Sequence, residues 1–201
     1  KEIPIIAISA SAMKENIEKT KASGMNEHLN KPIDVEKFFA ILKQYADIWN
    51  KTSRKLVLIG VNEPNAISEA TIEALAQKES VAVMTENTSN VHHESFITSI
   101  DTIITPFTAE DFEAFRPEIL ITFGGMVVSK RIKAFLRKYQ PKHHWHIDTL
   151  RAYDTFGCLT KYFEMDPNTF FNAFLPLTSK VESNYFSRLD ALRKFRKEKH
   201  D

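Results

Sequence analysis

The sequence holds one cysteine, Cys158, in 201 residues. No disulfide can form within the chain, and a reducing, cytoplasmic setting is expected. No apolar run approaches the ~20 residues that span a bilayer, so no membrane partner is expected. Charge of one sign is also missing, since 27 basic residues face 26 acidic ones. Such a balance gives no bulk field to attract nucleic acid or an anionic membrane. Gly124-Gly125 is not a G-x-G-x-x-G fingerprint and Gly60 stands alone, which argues against dinucleotide binding. Internal repeats and low-complexity linkers are absent. The opening KEIPIIAISA lacks a basic n-region and a cleavage site, so it reads as a strand and not a signal peptide. A chain that opens on a buried-type strand reads as a fragment.

What is present is a globular core, with 43% hydrophobic and 11% aromatic residues. IPIIAIS (3–9) is a continuous β-branched run, as in a parallel strand buried on both faces. A helix is expected over Met13–Ala22, closed by Gly24, then a strand over 27–32. Asp34 caps a further helix with Val35, Phe38, Phe39 and Leu42 on one face. From Lys55 a second α/β series begins. Strands are expected at 55–60, 81–86, 102–106, 118–123, 144–148 and 158–165. Helices are expected at 67–77, 108–115, 127–139, from Asp166-Pro167 onward, and over 180–197. Strands alternating with helices predict an α/β fold, a Rossmann-like parallel sheet flanked by helices, behind an N-terminal β-α-β-α half-unit. The boundary is expected near 45–54, giving segments 1–45 and 46–201.

Two features invite chemistry. The helix after Gly124-Gly125 opens on Ser129, Lys130 and Arg131. Cations at a helix N-terminus meet its partial positive charge, so a bound anion would explain them. A solvated basic helix start is the plainer alternative, with Ile132, Phe135, Leu136 and Tyr139 as the core face. His144 and His146 would share one face of a strand, a two-ligand start for zinc. No cysteine accompanies them in sequence and no acidic partners are evident, so surface or edge histidines without metal are expected. The polar run Glu86 to Asn90 follows a strand, where α/β folds bind ligands. The basic C-terminal helix is expected to be a solvated face and not a nucleic-acid surface.

Residues 3–34, IPIIAISASAMKENIEKTKASGMNEHLNKPID, resemble the second half of a response-regulator receiver domain, which is flavodoxin-like. Ser9 stands at that family's Ser/Thr switch, and Lys31-Pro32 at its Lys-Pro pair. The family's phospho-accepting and metal-binding acids lie on strands not found in this sequence, so these are remnants and phosphotransfer is not expected. The segment's apolar strand edge is expected to dock on the second domain or to pair across a homodimer.

NEPNAIS, TENTSNVHHESFITSIDTII, LITFGGMVVSKRIKAFLRKYQPKHHWHID and AYDTFGCLTKYFEM resemble the central domain of MenD-type synthases. The resemblance implies an enzyme that joins 2-oxoglutarate and isochorismate in menaquinone biosynthesis, using thiamine diphosphate and Mg²⁺. The cofactor-binding domains of that family flank the central one, and its GDG motif is absent from this sequence. No cofactor and no catalytic residue are therefore expected in this chain. The resemblance puts Lys130 and Arg131 on the family's Lys-Arg pair, which helps hold the isochorismate carboxylate. Ser129, Gly124 and Gly125 complete the expected anion site. Partners would be that carboxylate or another small anion, and the flanking thiamine-binding domains. The alternative reading is a signalling or interaction module derived from a receiver.

Overall fold

The computed structural model describes residues 6–9, 27–30 and 35–198. Strand β1 (Ile6–Ser9) pairs in parallel with β2 (Glu27–Asn30), Ile6 opposite Glu27 and Ser9 opposite Asn30. The expected helix at 13–22, Gly24, Lys31 and Pro32 lie outside the described residues. Ser9 closes β1. The pair forms its own sheet, and β1 comes within 8 Å, Cα to Cα, of a later strand, β7 (Lys161–Glu164).

Helix α1 (Val35–Asn50) runs unbroken through the boundary expected at 45–46. Its inner face is Phe38, Leu42, Tyr45, Ala46 and Trp49, while Val35 and Phe39 are exposed. The expected face was thus wrong for Val35 and Phe39. The i, i+4, i+7, i+8, i+11 series through Trp49 fixes the orientation.

The main sheet is built from β3 (Lys55–Ile59), β4 (Val81–Thr85), β5 (Ile119–Phe123), β6 (His143–Asp148) and β7. All neighbours are parallel, in the order β4-β3-β5-β6-β7. Alternate residues feed opposite cores, as the two-residue strand period requires. Val57, Ile59, Ile121 and Trp145 meet α1, α2 (Glu69–Ala76) and α6 (Pro167–Phe174). On the other face Leu56, Leu58, Met84 and Leu120 meet α3 (Ile100–Ile104), α4 (Ala109–Phe115), α5 (Lys130–Lys138) and α7 (Tyr185–Glu198). The caps follow the sequence: Ser68, Thr108, Ser129 and Asp166 each accept from a first-turn amide.

One expected strand is a helix. Residues 102–106 fall largely in α3, whose Ile100, Ile103 and Ile104 all face the core. That i, i+3, i+4 spacing overrides the β-branched composition. Past α6 the chain returns to the α1–β3 connection. Ser179 N donates to Asn50 Oδ1 (2.8 Å), and Ser183 Oγ donates to the Ser53 carbonyl.

Lys55 opens β3 fully buried. Its Nζ donates to Thr52 O (2.6 Å) and Ser80 Oγ (3.2 Å) and lies 5.0 Å from the Trp49 ring centroid. Burial pushes its pKa down from 10.5 to about 8, against the pull of Glu118. Because the folded pKa is depressed, the unfolded chain binds more protons between about 8 and 10.5. Stability is therefore expected to rise across that window, by up to ~3 kcal/mol. Urea unfolding at pH 7, 8.5 and 10 measures the rise, and Lys55→Met should abolish it.

Candidate functional site

In this strand order the connections run outward in opposite directions from β3 and β5. Open α/β sheets bind ligands at that switch point, outside the strand carboxyl ends. Here the two ends close on each other. Gly60 N donates to Phe123 O (2.9 Å) and Gly125 N to Val61 O (2.6 Å). A Cβ on Gly60 would sit 2.0 Å from the Gly125 carbonyl oxygen. Gly60, which reads as isolated in sequence, is therefore the partner of Gly125. Gly124 turns the chain at φ +77°, with Asn62 against it.

Polar side chains knit neighbouring loops onto this turn. Asn62 Nδ2 donates to Gly60 O (3.0 Å), Ser89 Oγ to Ile59 O (2.7 Å), and Asn90 Nδ2 to Asn62 O (2.7 Å). The run after β4 thus braces the glycines, in place of the open ligand loop expected at Glu86 to Asn90.

Beyond the glycines stands the start of α5. Val128 N donates to Glu86 Oε2 (2.7 Å) and Ser129 N to Glu86 Oε1 (2.6 Å). Ser129 Oγ donates to Asp101 Oδ1 and accepts from Ile132 N (3.2 Å). The anion expected at this helix start is therefore present as the chain's own Glu86 carboxylate. A tethered carboxylate satisfies these amides without the translational entropy lost by a free ligand. The Val128 and Ser129 amides just ahead of the helix are consequently not open.

Lys130 and Arg131 are both exposed, and neither forms an ion pair among the described residues. Arg131 lines a cleft with Thr105, Phe112, Phe135 and Tyr139. A separate polar groove lies on the Glu86–Ser129 side, lined by Asn87, Thr88, Thr98, Asp101 and Thr102. Gly124, Gly125 and Ser129 thus meet at the switch point, while Arg131 faces a neighbouring cleft. Asp101 and Asn62 escaped sequence reasoning, as did the pairing of Glu86 with the start of α5. Glu86 is 42 residues from Val128, and nothing local couples them.

The histidines overturn their expectation. His144 is fully buried and His146 nearly so, on a strand flanked by two others. Thr122 Oγ1 lies 2.8 Å from both His144 Nε2 and His146 Nδ1. Burial, reinforced by His146, pushes the His144 pKa down to about 3. Burial also lowers that of His146, against Asp148 and a hydrogen bond to the Arg151 backbone. Cys158 stands beside them, its Sγ 3.9 Å from His144 Nδ1. His93 instead is a surface group, with Nδ1 2.8 Å from Ser95 Oγ and Nε2 3.4 Å from Glu73. On the basic helix α7, Arg193 donates to the Glu94 and Phe96 carbonyls.

A five-stranded parallel sheet with its switch point closed by glycines defines an α/β domain of the Rossmann-like class. The profile described as "Middle domain of thiamine pyrophosphate" matches residues 35–197, and the chain belongs to that family. The match begins at α1, as the packing of that helix requires. Among curated relatives, a 2-succinyl-5-enolpyruvyl-6-hydroxy-3-cyclohexene-1-carboxylate synthase from Flavobacterium johnsoniae is 59% identical over 155 residues, 77% of this chain and 28% of that protein. One of the same name from Flavobacterium psychrophilum is 56% identical over 170 residues, 85% of this chain and 30% of that protein. Another from Phocaeicola vulgatus is 32% identical over 146 residues, 71% of this chain and 26% of that protein. The chain thus spans less than a third of the length of these relatives. Among the described residues, no helix is long and apolar enough to cross a membrane.

Proposed function

We propose that residues 35–198 act as the central, substrate-contacting domain of a thiamine diphosphate-dependent synthase that joins 2-oxoglutarate to isochorismate in menaquinone biosynthesis. The observation that carries this reading is the profile match, together with relatives named for one and the same activity. The chain supplies shape and charge beside the reaction, and flanking domains supply the cofactor. The donor sets of the described residues support this division. Mg²⁺ takes oxygen ligands, whereas the close ligand group here is His144, Asp154 and Cys158, a mixed nitrogen, oxygen and sulfur set. The glycine turn, closed on itself, offers no open cradle for a diphosphate. These residues do not fit the cofactor, and we assign them no step through it.

Lys130 and Arg131 are proposed to hold the isochorismate carboxylate. Both cations stand at the start of α5, free of internal ion pairs among the described residues and able to turn toward an incoming anion. Glu86 holds the Val128 and Ser129 amides ahead of the helix and Asp101 the Ser129 hydroxyl, so recognition is assigned mainly to side-chain charge. In the full-length synthase, replacing both cations by Gln should raise KM for isochorismate at least tenfold. Decarboxylation of 2-oxoglutarate should be unchanged, since only the carboxylate contact is lost. Stability of the chain should move by less than about 1 kcal/mol. Equal losses in both half-reactions would refute the assignment.

Residues 1–34 are proposed to be a fused half-receiver, supported by the parallel β1–β2 register that a β-α-β unit needs. In this reading Ser9 and Lys31 have no phosphoryl group to answer.

A further inference from the structure

The central strands carry a polar chain. Thr122 Oγ1 has one proton to give and lone pairs to accept with, and it stands 2.8 Å from a nitrogen of each ring. In the arrangement that suits a ligating His144, His146 Nδ1 is the unprotonated nitrogen and accepts the threonine O–H. The same oxygen must accept from His144, so His144 carries its proton on Nε2. The lone pair of His144 Nδ1 is thereby left pointing at Cys158 Sγ, 3.9 Å away. One hydroxyl thus couples the tautomers of both rings.

Asp154 completes the arrangement. Its Oδ1 accepts from Cys158 N (2.8 Å) and Leu159 N (3.0 Å), which anchors the loop at Gly157 and leaves Oδ2 available. Ligand atoms of His144, Asp154 and Cys158 all lie within 4.8 Å of one another. Around a tetrahedral zinc ion, with Zn–S about 2.3 Å and Zn–N about 2.0 Å, the S···N edge is roughly 3.5 Å. The observed pair needs only a few tenths of an ångström of closure. His144 and Cys158 are buried and Asp154 is exposed, so an ion would approach from the Asp154 side.

We propose that His144 Nδ1, Cys158 Sγ and Asp154 Oδ2 form a binding site for a divalent transition ion of the zinc or cobalt class. Thiolate and imidazole donors favour such ions over Mg²⁺ or Ca²⁺. The fourth position is left to water or an exogenous ligand. Binding releases the Cys158 thiol proton to solvent and involves no redox change. Thr122 is a positioning residue: its hydroxyl holds the imidazole in the ligating tautomer, as outer-shell partners of metal-bound histidines do.

The test is a Co²⁺ titration of the full 201-residue chain, followed by absorbance. One equivalent should bind, with a thiolate-to-cobalt charge-transfer band and the intense visible bands of four-coordinate cobalt, and Zn²⁺ should displace it. Cys158→Ser should abolish the charge-transfer band, and Asp154→Asn should weaken binding at least tenfold. Thr122→Val should weaken binding about 10–100-fold, with recovery in Thr122→Ser. Circular dichroism on each variant separates loss of site from loss of fold, and the exposed Asp154 gives a variant that should remain folded. Absence of a charge-transfer band at saturating Co²⁺ overturns the proposal, as does a band that survives in Cys158→Ser.

Discussion

Gly60→Ala is expected to destabilise the domain by at least ~3 kcal/mol, and to leave little folded protein near physiological temperature. The new Cβ would sit 2.0 Å from the Gly125 carbonyl oxygen, and that atom is backbone, with no rotamer to escape into. Relief requires the ends of β3 and β5 to separate. The Gly60 N to Phe123 O and Gly125 N to Val61 O bonds oppose that movement directly. Separation would also carry Val128 and Ser129 away from Glu86. Gly125→Ala is the control, because a Cβ there meets the Val61 Cβ at 3.3 Å, a contact that small shifts relieve. It should lose no more than about 1 kcal/mol. Chemical denaturation of both variants reads the contrast, and equal losses would mean that the turn is merely sensitive to any side chain.

Trp49→Ala is expected to lose about 3–5 kcal/mol, as large aromatic deletions in close-packed cores do. Trp49 is 1% exposed and sits between two aromatic neighbours. Its ring meets Phe174 edge-on at 5.5 Å and stacks near Trp145 at 6.5 Å. It also forms one wall against the buried Lys55 ammonium, so the cavity would open beside a charge. Phe39→Ala, on the opposite face of α1, should change stability by less than about 0.5 kcal/mol, because that ring is 43% exposed. The pair of measurements decides whether α1 belongs to the central domain. A small effect at Trp49 would return the helix to the N-terminal segment.

Strands β3, β4 and β5 were legible because they are apolar runs with β-branched residues, a pattern that survives without context. Ile100 to Ile104 shares that composition, and only tertiary contact reveals it as a helix. The boundary expected near 45–54 was drawn for a related reason, although α1 runs on to Asn50. Val35 and Phe39 mimic an apolar face, while the true anchor, Trp49, lies past the point where the unit seemed to end. At the switch point the glycine pair and Ser129 could be read directly, since turns and caps are local. Glu86 could not, because its partners are joined to it by the fold alone. His144 and His146 looked like surface groups, since a polar strand resembles an edge until strands on both sides are known.

The two hydrogen bonds that tie Asn50 to Ser179 and Ser53 to Ser183 have a bearing on architecture. They fasten the segment after α6 to the α1–β3 connection, so α7 sets out across the opposite face of the sheet from a fixed point. Loop-closure entropy grows only slowly with length, and here folding of the domain itself accomplishes the closure. A clasp between residues 130 apart makes the turn after α1 and the approach to α7 one cooperative unit, so opening at either point should be felt at both.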